Sequence, residues 1–275
     1  MKPDQSSNSV ISVKRDVVEI SKWPTDTISI DYCHQINESN KRIIIEPHTL
    51  ILFVPGNPGC VGWYVAFLHS VVEKLGVGFS ARGVSYAGHG VGEDIVGPDD
   101  LNLKDDDASN EKQRISWTID GQVEHKIQWI DQIISSSMLD SNSNLKFIFI
   151  GHSIGCHLVQ RLCVMRKDIL SRTRNVIYLM PFTIFDPPIY FQKCYLNFGA
   201  RTQKVALSIL DVSSRLAKRI PRSILNFYLE KVAGVHDGEG REIALNLIIS
   251  PAMARNFLSL GLEELRDVPQ IPDVS

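Results

Sequence analysis

Gly151-His152-Ser153-Ile154-Gly155 puts a hydroxyl between two glycines, each two residues away. It follows the apolar run Leu145–Ile150 (LKFIFI) and leads into residues 152–166, whose composition predicts a helix. In that setting G-x-S-x-G forms a sharp strand-to-helix turn that lifts the serine above the sheet. Glycines either side remove the Cβ atoms that would block so tight a turn. The chemistry is acyl transfer. Ser153 is the candidate nucleophile, and the Ile154 amide, at the start of the helix, is placed to receive an oxyanion. Gly151, His152 and Gly155 support the motif, and the His152 side chain is expected to point away from the serine.

A second oxyanion donor comes, in this architecture, from the loop after an early central strand. Thr49–Val54 (TLILFV) is such a strand, and Pro55-Gly56-Asn57-Pro58-Gly59 follows it. The Asn57 amide is the candidate donor, with Gly56 making room for it. A serine also needs a general base, and the expected chain order is serine, then acid, then histidine. His89 sits on a loop at the carboxyl end of a strand, the edge where open α/β sheets bind ligands. It is the histidine expected nearest the site. His157, four residues after Ser153, reads as helix packing. Asp186, after the run Asn175–Met180, could orient a base or form a plain turn. His236, in Gly234-Val235-His236-Asp237-Gly238, has no strand pattern to carry it to the sheet edge.

The elements that would position these residues alternate. A β-hairpin is expected from residues 10–20 and 27–34, with Trp23-Pro24-Thr25-Asp26 as its turn. TLILFV is apolar on both faces, as in a buried parallel strand. Residues 62–75 read as a helix and Phe79–Tyr86 as a strand. Residues 119–138 read as a helix, since Ile119, Val123, Ile127, Ile130 and Ile134 fall on one face. LKFIFI, the motif helix and the strand NVIYLM (175–180) follow. Strand and helix in alternation predict an α/β fold with parallel strands and right-handed crossovers. Residues 1–9 read as a disordered tail, 10–181 as the core, 182–258 as a helical cap and 259–275 as a tail.

The cap carries a stripe of Val205, Ile209, Val212, Leu216 and Ile220, in steps of 4, 3, 4 and 4. Residues 190–231 hold eight basic side chains against two acidic ones. An apolar stripe beside a basic face can lie in a lipid interface. Packing on the core, with solvated charges, explains the same pattern.

Composition sets the outer bounds. The chain has 275 residues, 44% hydrophobic and 22% charged, with a net charge of −2. That suits a globular protein and argues against nucleic-acid binding through an overall field. Five cysteines without a CxxC pair argue against a zinc site or a disulfide scaffold. No cofactor is expected, because neither G-x-G-x-x-G nor a ligand-spaced His/Cys cluster occurs. Residues 1–10 lack the apolar region of a signal peptide, and no apolar run reaches the roughly 18 residues of a membrane span.

Several motifs together resemble one family. They are Val54-Pro55-Gly56-Asn57-Pro58-Gly59, Trp63-Tyr64, Ala87-Gly88-His89, Gly121-Gln122-Val123-Glu124-His125-Lys126 and Gly151-His152-Ser153-Ile154-Gly155. In this order they resemble the lipid droplet-associated hydrolases, a branch of the α/β-hydrolase superfamily. The resemblance covers roughly residues 45–265. It implies a mostly parallel α/β-hydrolase sheet with helices on both faces and a helical cap. It implies a serine esterase or lipase acting on neutral lipid or sterol esters, on lipid droplets and at the cytosolic face of the endoplasmic reticulum. By similarity Ser153 is the nucleophile. The family's acid and histidine belong to a later segment, so the chain is expected to be C-terminally shortened, with the last strands missing. The alternative is a catalytically weak lipid-surface-binding protein on a hydrolase scaffold, and an unstable fragment is a third possibility.

Overall fold

The computed structural model describes residues 9–21, 23–36, 41–90, 118–136, 145–182, 200–236 and 238–268. Seven strands form one mixed sheet. β1 (Ser9–Ile20) and β2 (Trp23–Ile36) make an antiparallel hairpin with Val13 opposite Ile30 and Ile20 opposite Trp23. β3 (Lys41–Ile44) pairs with the far end of β2. β4 (Thr49–Val54), β5 (Phe79–Val84), β6 (Lys146–His152) and β7 (Thr173–Leu179) run parallel to one another, in the order β5-β4-β6-β7. β5 joins the hairpin through β2, so the sheet reads β1-β2-β5-β4-β6-β7.

Every residue of β4 is buried. Side chains alternate across a strand, so TLILFV feeds two cores. Leu50, Leu52 and Val54 pack with Val123 and Ile130 of α2 (Ile119–Ser135) and with Ile154, Leu158 and Leu162 of α3 (Ile154–Met165). Ile51 and Phe53 pack with Leu68 and Val72 of α1 (Val65–Leu75) on the opposite face. A helix on each face follows from a strand apolar on both. A short α4 (Lys167–Arg172) completes the crossover to β7.

Some boundaries differ from the sequence reading. Trp23–Asp26 lies inside β2, because pairing with Val17–Ile20 extends the strand. The reversal comes earlier, where Ser21 takes φ 53°. β1 starts at Ser9, ahead of the expected residue 10. A 3₁₀ turn (Val61–Tyr64) precedes α1. No apolar alternation in the sequence marks β3.

After β7 the described residues are helical: α5 (Ala200–Ala217), α6 (Arg222–Lys231), α7 (Gly238–Ile249) and α8 (Pro251–Asp267). Ser250 caps α8 by accepting the Met253 amide, with Pro251 at its first turn. The helix runs through the boundary expected at residue 258, because Leu260 and Leu262 continue its buried face.

α5 turns Leu210, Ser214 and Ala217 inward. Ser214 is buried and Leu210 and Ala217 half-buried, while α5 packs on α8. The large stripe therefore faces out. Ile209 is 60% exposed, Val212 55% and Leu216 55%, and on α6 Phe227 is 63%. Arg215, Lys218, Arg219 and Arg222 are exposed beside them. Among the described residues no helix is long and apolar enough to cross a membrane.

Candidate active site

Three loops meet at the carboxyl ends of β4, β5 and β6. The first is the turn that ends β6. Ser153 has φ 51° and ψ −123°, a conformation L-residues adopt only under constraint. Its amide donates to the Leu179 carbonyl at 2.9 Å, and its carbonyl accepts from Phe182 at 3.1 Å and Cys156 at 3.0 Å. The bend is thus pinned to β7 on one side and to α3 on the other. A Cβ at Gly155 would overlap the Val54 and Pro55 carbonyls, and one at Gly151 would lie 2.7 Å from the Cys156 Cα. Both motif glycines are therefore steric requirements. Ile154 is the first residue of α3, where backbone amides have no intrahelical acceptor.

The second loop is Pro55–Gly59. Gly59 donates its amide to the Gly56 carbonyl at 2.7 Å, which closes a tight turn. Gly56 touches the serine turn: a Cβ there would lie 2.9 Å from the Ser153 Cβ and 2.8 Å from His152 Nδ1. The Gly56 backbone also bonds to the Tyr64 hydroxyl. That hydroxyl lies 2.9 Å from His152 Nδ1. The His152 ring is therefore tied to Tyr64, and burial lowers its pKa.

The Asn57 side chain engages α8. Its Nδ2 donates to the Phe257 carbonyl at 3.1 Å, and its carboxamide bonds the Glu264 carboxyl. Glu264 Oε1 is buried without a hydrogen-bond partner. Burial raises the pKa of this carboxyl to about 8, against the lowering effect of the Asn57 bond. α8 also holds the third loop, since Asn256 Nδ2 donates to the Gly88 carbonyl at 2.7 Å.

That third loop, Ser85–Gly90, carries His89. It is buried, with Nδ1 2.7 Å from the Pro58 carbonyl. It thus braces loop 55–59. Ser153 Oγ makes no side-chain hydrogen bond among the described residues. His157 lies in α3 with Nδ1 buried and without a partner, and burial and Arg161 lower its pKa. His236 is exposed. Asp186 lies outside the described residues. Among those residues, then, serine, acid and histidine are not assembled, and no cluster of three metal-ligating side chains occurs. A cavity of about 370 Å³ opens between the β1–β2 hairpin and α7, lined by Arg15, Asp26, Val61, Glu242 and Ile243. It does not include Ser153.

Sequence reasoning missed Glu264, Asn256 and Tyr86 as parts of this region. Their signals are faint, because each bonds a partner far away in the chain. Gln122 and Lys126 were legible only as a motif.

The chain is similar to known proteins. The lipid-droplet associated hydrolase family model matches residues 47–274. The lipid droplet-associated hydrolase of Mus musculus is 26% identical over 250 residues, covering 86% of this chain and 68% of the relative. That of Homo sapiens is 25% identical over 237 residues, covering 82% and 65%. Among solved structures, epoxide hydrolase CorEH is 11% identical with TM-score 0.49, covering 94% of this chain and 76% of that one. The peroxisomal alpha-beta-hydrolase Lpx1 of Saccharomyces cerevisiae is 11% identical with TM-score 0.48, covering 95% and 69%. The family match spans most of the chain, and the chain, folded as a mixed α/β sheet with helices on both faces, belongs to the lipid-droplet associated hydrolase family.

Proposed function

We propose that this chain is built as a serine hydrolase for lipid esters. Residues 10–181 act as the catalytic core and 182–258 as a cap. Ser153 Oγ attacks the ester carbonyl carbon, its proton passes to a base, and the carbonyl oxygen becomes an oxyanion. The amides of Ile154 and Asn57 receive that oxyanion. Collapse expels the alcohol and leaves an acyl-serine, which water then hydrolyses to the acid. Donors fixed in advance need no reorganisation as charge develops, which makes them effective. The observation that supports this most is the backbone of Ser153, held at positive φ against Gly56. A conformation this costly persists where the surroundings enforce it, often at functional sites.

The outward stripe of α5 and α6 supports a place of action on a lipid droplet or the cytosolic face of the endoplasmic reticulum. A contiguous exposed apolar patch marks an interaction surface, and basic neighbours favour an anionic one.

A second reading rests on the Ser153 hydroxyl, which has no bonded base among the described residues. On that reading the chain is a lipid-surface-binding protein with little turnover. Removing a triad member typically leaves only about 10³–10⁴-fold catalysis over water. A fluorophosphonate probe separates the two. Labelling of wild type that vanishes in Ser153→Ala supports the hydrolase. No labelling, with retained binding to phospholipid-coated droplets, supports the second reading and overturns the first.

A further inference from the structure

α2 carries Gln122, His125 and Lys126, all buried, next to its apolar stripe. Buried polar groups are costly unless every donor and acceptor is met, and here they are met in a particular way. Lys126 Nζ donates to the Ser85 carbonyl at 3.0 Å, to His125 Nδ1 at 3.0 Å and to Gln122 Oε1 at 3.3 Å. It also stands 4.7 Å from the centroid of the Tyr86 ring. No carboxylate pairs with it among the described residues. His125 Nε2 lies 3.0 Å from Thr25 Oγ1, and that hydroxyl donates to the Trp23 carbonyl at 3.0 Å. With the Thr25 proton so used, Nε2 must be the donor and Nδ1 is free to accept from Lys126 Nζ, whose own pKa burial lowers well below the ordinary value. Burial and the neighbouring Lys126 hold His125 neutral, its pKa well below the ordinary value. Gln122 grips Ala87 at both ends: Oε1 accepts the Ala87 amide at 3.1 Å and Nε2 donates to the Ala87 carbonyl at 3.2 Å.

Lys126 and Gln122 bond directly to one short segment, Ser85–Ala87, and His125 reaches it through Lys126. That segment in turn holds the oxyanion loop. Tyr86 O–H donates to the Pro55 carbonyl at 2.7 Å, and its amide donates to the Gly59 carbonyl at 2.9 Å. A Cβ on Gly59, which has φ 76°, would lie 2.5 Å from the Tyr86 ring. Ser85 Oγ accepts the Val61 amide at 3.0 Å, just past the loop. Loop 55–59 is therefore fastened at both ends to Tyr86, and Tyr86 is seated on Lys126.

We propose that Lys126, locked by Gln122 and His125, is a positioning residue of the hydrolase site: its Nζ seats Tyr86, and Tyr86 sets loop 55–59, with the Asn57 amide, against Ser153. This deepens the hydrolase reading and rests on it for its catalytic meaning. A purely apolar side chain would fill the same space but supply none of the three hydrogen bonds. It would leave the Ser85 carbonyl, His125 Nδ1 and one Gln122 contact without a donor.

The test uses the full chain and two variants on the same helix. Lys126→Met removes the donors at similar length. Val123→Ala destabilises the same core without removing a hydrogen bond to Ser85–Ala87. Hydrogen–deuterium exchange is followed in peptides spanning residues 55–60 and 49–54. In Lys126→Met, exchange in 55–60 should rise at least tenfold more than in 49–54, whereas Val123→Ala should raise both together. Equal rises in both variants, or no change in 55–60, overturn the proposal. This readout does not depend on turnover. Fluorophosphonate labelling is measured alongside. Failure of wild type to label sinks the hydrolase reading, while the exchange result still decides whether Lys126 sets the loop.

Discussion

Gly56 lies against Ser153 so closely that a Cβ on residue 56 would sit 2.9 Å from the Ser153 Cβ. Two loops from neighbouring parallel strands, β4 and β6, thus meet at one backbone contact. An oxyanion donor has to approach the nucleophile this way, with backbone rather than side chain.

Gly56→Ala forces those loops apart. Overpacking of this kind typically costs about 1–3 kcal/mol. Fluorophosphonate labelling of Ser153 should fall at least tenfold, with the urea midpoint only modestly lowered. Gly238→Ala is the control, because nothing lies within 4 Å of the added methyl. Labelling that survives Gly56→Ala intact would remove the oxyanion loop from the mechanism.

How much of this was readable beforehand depends on the range of the cause. β4 and β6 were legible because burial on both faces writes itself as a continuous apolar run. The serine turn was legible because its glycines are steric necessities two residues away. β3 was not, since its four residues pair with Cys33–Ile36, where β2 continues past its pairing with β5. Trp23–Asp26 carries turn residues, yet pairing with β1 overrides them. The α5 stripe was legible as a stripe, but periodicity says which residues share a face and not which medium that face meets. The Lys126 network joins residues 25, 85–87 and 122–126, and no local pattern relates them.

The exposed stripe gives a second test. Ile209, Val212 and Leu216 are each more than half exposed, so replacing all three by Ser should change stability by only about 0.5 kcal/mol per site or less. Flotation with vesicles of neutral and anionic phospholipid should drop at least tenfold. If flotation persists at the wild-type level, this face is not the docking surface. Raised salt should weaken the anionic-vesicle binding of wild type, because exposed charges are screened.

Glu264 predicts a pH dependence with a definite sign. Its folded pKa of about 8 lies above the ordinary carboxylate value of 4.5. The unfolded chain therefore releases this proton first. Stability from this group is intact below pH 4.5, declines as pH rises above it, and the loss levels off only beyond about 8. The full penalty is on the order of a few kcal/mol. Glu263, raised to about 7 chiefly by burial, acts in the same direction. Glu264→Gln should flatten the fall of the urea midpoint between pH 5 and 9, and adding Glu263→Gln should flatten it further. Parallel curves for wild type and Glu264→Gln would show that the carboxyl is not buried against Asn57.

The strain at Ser153 predicts an inversion of the usual glycine penalty. In regular structure Gly is less stable than Ala by roughly 0.5–1 kcal/mol. At residue 153, φ is 51° and the side chain makes no capping hydrogen bond, so Ala keeps the strained Cβ and gains nothing in return. Gly is released from it. Releasing a sparsely populated conformation is worth about 1–3 kcal/mol, which exceeds the entropy Gly adds to the unfolded chain. Ser153→Gly should therefore be more stable than Ser153→Ala in urea denaturation, while neither variant reacts with the probe. If Ser153→Ala is the more stable of the two, the serine turn carries no stored strain, and its positive φ no longer argues for a nucleophile.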